Sequence, residues 1–138
     1  MSIRHHYQLK SHGKLLWTKA AFGCQNSDLI ITARLLIDTG ATFTALSDRL
    51  VNAIVETPTI LRQESIMTAS DRLMAPVIAV PWINCLGQQI DAFPVISLPI
   101  PNSAFIDGLI GIDFLRRYKA IIDIEQAQIS VRSRLPIA

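Results

Sequence analysis

The chain has 138 residues and a formal net charge of +2; half of its residues are hydrophobic and 17% are charged. That is the size of one domain, and the apolar content excludes intrinsic disorder. No uninterrupted apolar run reaches the roughly 18 residues of a membrane span; the longest stretch, Leu73 to Ile83, is broken by Pro76 and Pro81. The first twenty residues are polar, with no apolar segment after Arg4. No secretory leader is legible, and the chain reads as cytoplasmic. Cys24 and Cys85 show no metal-ligand spacing and are expected to be free thiols. Neither a metal nor a cofactor is expected.

Charge is distributed unevenly. Residues 1–20 carry Arg4, Lys10, Lys14 and Lys19 and no acid, whereas residues 21–125 hold seven bases and eleven acids, a net of −4. A basic flank can attract nucleic acid, but this one has neither a basic run nor interleaved aromatics, so nucleic acid is not the expected partner. Residues 1–13, with His5, His6 and His12, read as a flexible, solvated arm. Residues 14–131 read as the folded domain and 132–138 as a tail.

Strand signals begin at Leu15. Leu15–Trp17 and Leu29–Ala33 flank the turn-rich residues 23–28, a hairpin pattern. The second strand runs on through Leu35-Leu36-Ile37 into Asp38-Thr39-Gly40, where glycine permits a tight turn. Ser47 is a good N-cap, with Asp48 in the first turn of a helix to about Ile54. Residues 56–63 read as a connector around Pro58. Ser65–Met67 and Leu73–Val80 flank the small polar tip Thr68-Ala69-Ser70-Asp71, a second hairpin; Trp82–Leu86 and Ile90–Ile96 flank Gly87-Gln88-Gln89, a third. Pro76, Pro81 and Pro94 should confine these strands to edges or bulges. A loop follows over 98–103, then a short strand over 105–110 and a helix from Asp113 to Lys119 with Asp113 as its N-cap. A hairpin of Ile121–Ile124 and Gln128–Val131 closes the pattern. The sum is an all-β barrel or sandwich with two short helices.

The residues with chemical promise lie in Leu36-Ile37-Asp38-Thr39-Gly40-Ala41. A lone Asp-Thr-Gly is common in surface turns. This one is flanked by Leu35–Ile37 on one side and by Ala41, Phe43, Ala45 and Leu46 on the other. Asp38 is therefore expected to be partly buried and to need hydrogen-bond donors or a partner charge. Phe105-Ile106-Asp107-Gly108 repeats the lead-in and hints at a duplicated half. Asp107 is thus a rival second carboxylate, although turn formation is its simpler role. Met67 and Trp82 read by residue type as core, and Asp71 as solvated.

Asp38-Thr39-Gly40-Ala41, a short helix, a polar-tipped hairpin and then Gly108-Leu109-Ile110-Gly111-Ile112-Asp113-Phe114-Leu115, in this order, resemble the retropepsin-type aspartic proteases, most closely the single-domain bacterial and cellular members. The resemblance spans residues 14–131. It implies a small closed retropepsin-like barrel with a ψ-loop and an aspartic endopeptidase activity on peptides or unfolded segments. Asp38 would be the catalytic aspartate, in an active-site loop with Thr39, Gly40 and Ala41. Leu109, Ile110 and Gly111 would form the ψ-loop beside it. Met67, Thr68, Ala69 and Ser70 would belong to a flap that closes on substrate. The tip lacks the glycine usual in the family. Aspartic hydrolysis uses two carboxylates about 3 Å apart, and one Asp-Thr-Gly per chain then implies a homodimer. The alternative is a non-catalytic peptide-binding or dimerisation module on the same fold.

Overall fold

The computed structural model describes residues 2–134. Eleven strands and two helices follow one another along these residues. They are β1 (Ser2–Gln8), β2 (Lys10–His12), β3 (Leu15–Gly23), β4 (Ile30–Ile37), β5 (Ala45–Ser47), α1 (Asp48–Ile54), β6 (Ile60–Met67), β7 (Arg72–Cys85), β8 (Gln88–Leu98), β9 (Gly108–Ile110), α2 (Ile112–Arg117), β10 (Ile121–Asp123) and β11 (Gln128–Arg134). The fold is all-β with two short helices, as the strand pattern implies.

The larger sheet has the order β2-β3-β4-β9-β5-β8-β7-β6, and a further pairing of β3 with β7 closes it into a barrel. Ala20–Gly23 of β3 pair with β4 on one side and with Trp82–Cys85 of β7 on the other. The barrel is filled by Phe22, Leu35, Leu46, Ile83, Ile110 and Phe114, all fully buried. Burying such side chains is worth roughly 1.5–3 kcal/mol each, before the entropy of ordering them is charged against it.

Local chemistry explains the clearest elements. Ser47 adopts extended backbone and its Oγ accepts from Leu50 N at 3.1 Å, which starts α1 where expected. Leu50, Val51 and Ile54 then turn inward. At the β7–β8 hairpin, Leu86 and Gly87 both hold positive φ, 51° and 71°, the backbone of a type I′ turn. The prolines are not confined to edge strands as expected: β7 and β8 both lie inside the larger sheet, and Pro76 and Pro94 stand in register with Gln63 and Ala79. β6 pairs β7 only as far as Ile78 and β3 pairs it only from Trp82, so Pro81 falls in the gap. Pro76 lies just before the β8 ladder begins at Val77, and Pro94 just before β8 meets β5 at Ile96.

Three further expectations change. Residues 2–12 are not a loose arm: β1 pairs along its length with β11, Leu9 is buried, and β2 pairs with β3. The strand carries no alternation of apolar residues because one of its edges and much of its surface face solvent. β11 also runs to Arg134, into the segment read as a tail; residues 135–138, Pro136 included, lie outside the described residues. Third, the connector before the second hairpin is shorter than expected, since β6 begins at Ile60.

Candidate active site

The structure assembles the Asp38 turn from two distant stretches of chain. β9 lies between β4 and β5, parallel to β4 and antiparallel to β5. Leu36 is paired with Leu109 and Ile37 with Ile110. The ladder ends with Asp38 N donating to Ile110 O at 3.0 Å. Gly40 N then donates to Asp38 Oδ1 at 2.9 Å, and Ala41 N to Asp38 O at 3.2 Å. The carboxylate is therefore oriented by its own turn. Asp38 is half-buried, as its apolar flanks imply.

A second set of bonds ties the turn to α2. Ile112 N donates to Ala41 O at 2.8 Å and Asp113 N to Thr42 O at 3.2 Å. Thr44 is fully buried. Its Oγ1 donates to Asp113 Oδ1 at 2.8 Å and accepts from Gly111 N at 3.2 Å. Thr44 N also donates to the Asp113 carboxylate at 3.0 Å. Asp113 is thus not the N-cap expected of it. Gly111 holds that position without a side-chain bond, and α2 starts at Ile112. Asp113 instead accepts from Thr44 and from Phe114 N. Close approach explains the two glycines here. A Cβ on Gly111 would stand 2.6 Å from Phe43 C, and one on Gly108 2.3 Å from Ala45 O.

Asp107 is not a second catalytic carboxylate of the same chain. Its Oδ2 accepts from Arg34 N at 2.8 Å, its N–H donates to Arg34 O, and its carbonyl accepts from Ser47 N. It is fixed beside Arg34, about 13 Å along β4 from Asp38 at the usual rise per residue.

Asp38 opens onto a cleft of about 460 Å³ lined by Gly40, Ala41, Phe43, Leu98, Leu109 and the β6 residues Ser65 to Met67, among others. Its floor is a small buried cluster of Ala45, Ala75, Val77 and Ile96, with Phe43, Ile66, Leu98 and Leu109 packed against it. Met67 is not core: it is 73% exposed and faces this cleft. Trp82 is half-buried, against Gly23. Thr68, Ala69 and Ser70 are exposed at the hairpin tip and do not line the cleft. The tip closes through Thr68 N to Asp71 O at 2.7 Å and Asp71 N to Thr68 Oγ1 at 3.0 Å. No residue from Thr68 to Asp71 has positive φ, so the turn does not require glycine. Thr39 points away from the cleft, into a separate groove with Ile112, Leu115 and Ile122. Phe43, Ile66 and Leu98 line the cleft without having been singled out in the sequence.

A carboxylate on a braced turn, opening onto a cleft walled on one side by β6, is an arrangement suited to holding an extended peptide beside an acid. A sequence profile described as aspartyl protease matches residues 26–114. The chain belongs to the aspartyl protease family. Its fold is that of a retropepsin. It superposes on a retropepsin-like aspartic protease from Rickettsia conorii with a TM-score of 0.61 at 15% identity, over 96% of this chain and 94% of the other. It superposes on an inhibitor-bound EIAV protease with a TM-score of 0.55 at 19% identity, over 76% of this chain and 88% of the other. Among curated proteins, none matches this chain.

No cluster of metal-ligating side chains occurs among the described residues. Their ion pair is Arg62–Glu64, 2.7 Å apart on β6. Cys24 and Cys85 are unpaired, and burial pushes the Cys85 thiol up from 9.0 to about 12. No helix among the described residues is long and apolar enough to cross a membrane.

Proposed function

We propose that this member of the family is an aspartic endopeptidase that works as a homodimer, with Asp38 from each of two copies forming one catalytic pair. The observation that carries the reading is the placement of Asp38. Its turn is held by Ile110 O and by Gly40 N at the floor of the cleft, and the described chain offers no second carboxylate there.

A single carboxylate cannot serve as general base and general acid in the same step. Two carboxylates brought to about 3 Å share one proton, because both cannot ionise at that separation. The ionised member takes a proton from water as the water attacks the scissile carbonyl. The protonated member donates a hydrogen bond to the carbonyl oxygen and stabilises the charge developing on it. A two-fold axis beside Asp38 supplies the pair from one kind of chain.

Thr39, Gly40 and Ala41 would hold the turn, with Leu109, Ile110 and Gly111 as its brace. Met67 and the tip Thr68-Ala69-Ser70 would close over a peptide lying in the cleft. Phe43, Ile66 and Leu98 favour a substrate with large apolar side chains beside the scissile bond, since they offer apolar surface and no charge. The test is cleavage of an unfolded protein or peptide library by wild type and by Asp38→Asn across acidic to neutral pH. Cleavage by wild type alone supports the reading. Equal cleavage by both removes Asp38 from the chemistry, and none by either returns the chain to a binding role.

A further inference from the structure

Residues 2–8, 114–122 and 128–134 hold six bases, Arg4, Arg116, Arg117, Lys119, Arg132 and Arg134, and no acid. Along the chain they are scattered, and no run marks them. The three-stranded sheet gathers several of them. Direct partners in an antiparallel pair share a face, and Arg4 is paired with Arg132 and His6 with Ser130. Ile129 and Val131 point into the core from the other face, so Arg4 and Arg132 stand side by side on the outer one. Like charges set directly opposite weaken a sheet. The acid of this face, Asp123, is level with Gln128. That is about 13 Å along β11 from Arg132, too far to offset the pair.

Arg4 is oriented without being neutralised. Its Nη1 donates to Ser130 Oγ at 2.8 Å and to Ser130 O at 3.3 Å, and its Nη2 donates to Lys119 O at 3.2 Å. All these acceptors are uncharged, and they leave other N–H groups of the guanidinium unused. On the far side of β11, Arg132 N donates to Tyr118 O, which sets Lys119 one strand-width from Arg132. Arg116 shares a groove with Lys119. Arg4, Arg132, Lys119 and Arg116 thus form a row, about 10 Å across from Arg4 to Lys119 at the usual strand spacing. No carboxylate pairs with any of them among the described residues, whose ion pair is Arg62–Glu64.

We infer that this row binds the phosphate backbone of a nucleic acid. Three of its four cations are arginines, whose planar fork matches phosphate oxygens. Several cations in a row suit a ligand with repeated charges rather than one small anion. A protein partner or a lipid surface needs an apolar patch to bury, and this face carries one large exposed apolar side chain, Ile121. The face has no Phe, Tyr or Trp on which a base would stack, so contact is with phosphates and independent of base sequence.

The test is the fluorescence anisotropy of a labelled single-stranded RNA titrated with the full chain over a range of salt. Neutralising four phosphates of a single strand gives an affinity that falls about fiftyfold between roughly 50 and 200 mM salt. Arg4→Gln/Arg132→Gln should weaken binding about tenfold at the lower salt and flatten the salt dependence. Arg116→Gln/Lys119→Gln should do the same without touching the Ser130 bonds of Arg4, which separates lost contact from lost folding. Lys14→Gln/Lys19→Gln removes equal charge from β3 and the turn before it and should match wild type. Equal losses from the row and from this lysine pair reduce the effect to overall charge and overturn the inference. Absence of RNA binding at the lower salt also overturns it. So does displacement of the RNA by polyglutamate or by phosphatidylserine vesicles as readily as by unlabelled RNA. Asp38→Asn should bind RNA as wild type does, so the result is independent of the protease reading.

Discussion

Asp38 and Asp107 enter their turns alike, after a pair of apolar residues and just ahead of a glycine, and they end with opposite roles. β4 and β9 run side by side in parallel, so the two aspartates belong to neighbouring strands of one barrel. Asp107 precedes β9, and the backbone of Arg34 takes its carboxylate. Asp38 follows β4, and its carboxylate accepts only from within its own turn, at Gly40 N. The difference teaches that strand register, rather than the lead-in motif, decides which acid is left facing the cleft. The acid before a strand meets its neighbour's backbone, and the acid after one meets the cleft.

Substitution sharpens this contrast. Asp38→Asn should lower cleavage by about 10³-fold, the scale of lost general acid–base catalysis. Asp107→Asn, which keeps an acceptor for Arg34 N, should leave cleavage within about twofold of wild type, since Asp107 stands outside the acid–base step; peptide assays on both variants decide it. The brace beneath the contrast comes next. Gly108→Ala drives a Cβ into Ala45 O and Leu35 and should cost about 3 kcal/mol in urea unfolding, at the upper end for overpacking. Thr44→Val leaves Gly111 N without its side-chain acceptor and the Asp113 carboxylate without the hydroxyl, a loss of about 2 kcal/mol. The last effect lies far from either acid and is confined to alkaline pH. Cys85 stays protonated in the folded chain until about pH 12, whereas unfolded thiol ionises from 9.0. The unfolded state then binds fewer protons, so stability should fall as pH rises from 9 towards 12. A thiol reagent at pH 8 should label Cys24 and spare Cys85 until the protein unfolds.

What was legible in the sequence was local. Ser47-Asp48 announces α1 because capping is a matter of adjacent residues, and the hairpin at 68–71 is marked by its own turn; the next turn falls at Leu86-Gly87, one residue ahead of the expected Gly87-Gln88-Gln89. The Asp38 turn stood out because a polar tripeptide interrupts an apolar run. What was not legible depends on partners far along the chain. β1 has no apolar rhythm, and only β11 makes it a strand. Asp113 reads as a helix cap by type and spacing, yet Thr44 claims its carboxylate. Met67 reads as core because methionine usually is, and only the position of β6 over the cleft places it in water.

The insertion of β9 between β4 and β5 has a consequence for how the molecule is made. A chain emerging from the ribosome carries residue 38 long before residues 108–113 exist to clasp it. Until that late segment arrives, the backbone N–H of Asp38 has no Ile110 carbonyl to meet, and contacts this distant in sequence form slowly. The Asp38 turn is thereby completed only after residues 108–113 have been synthesised.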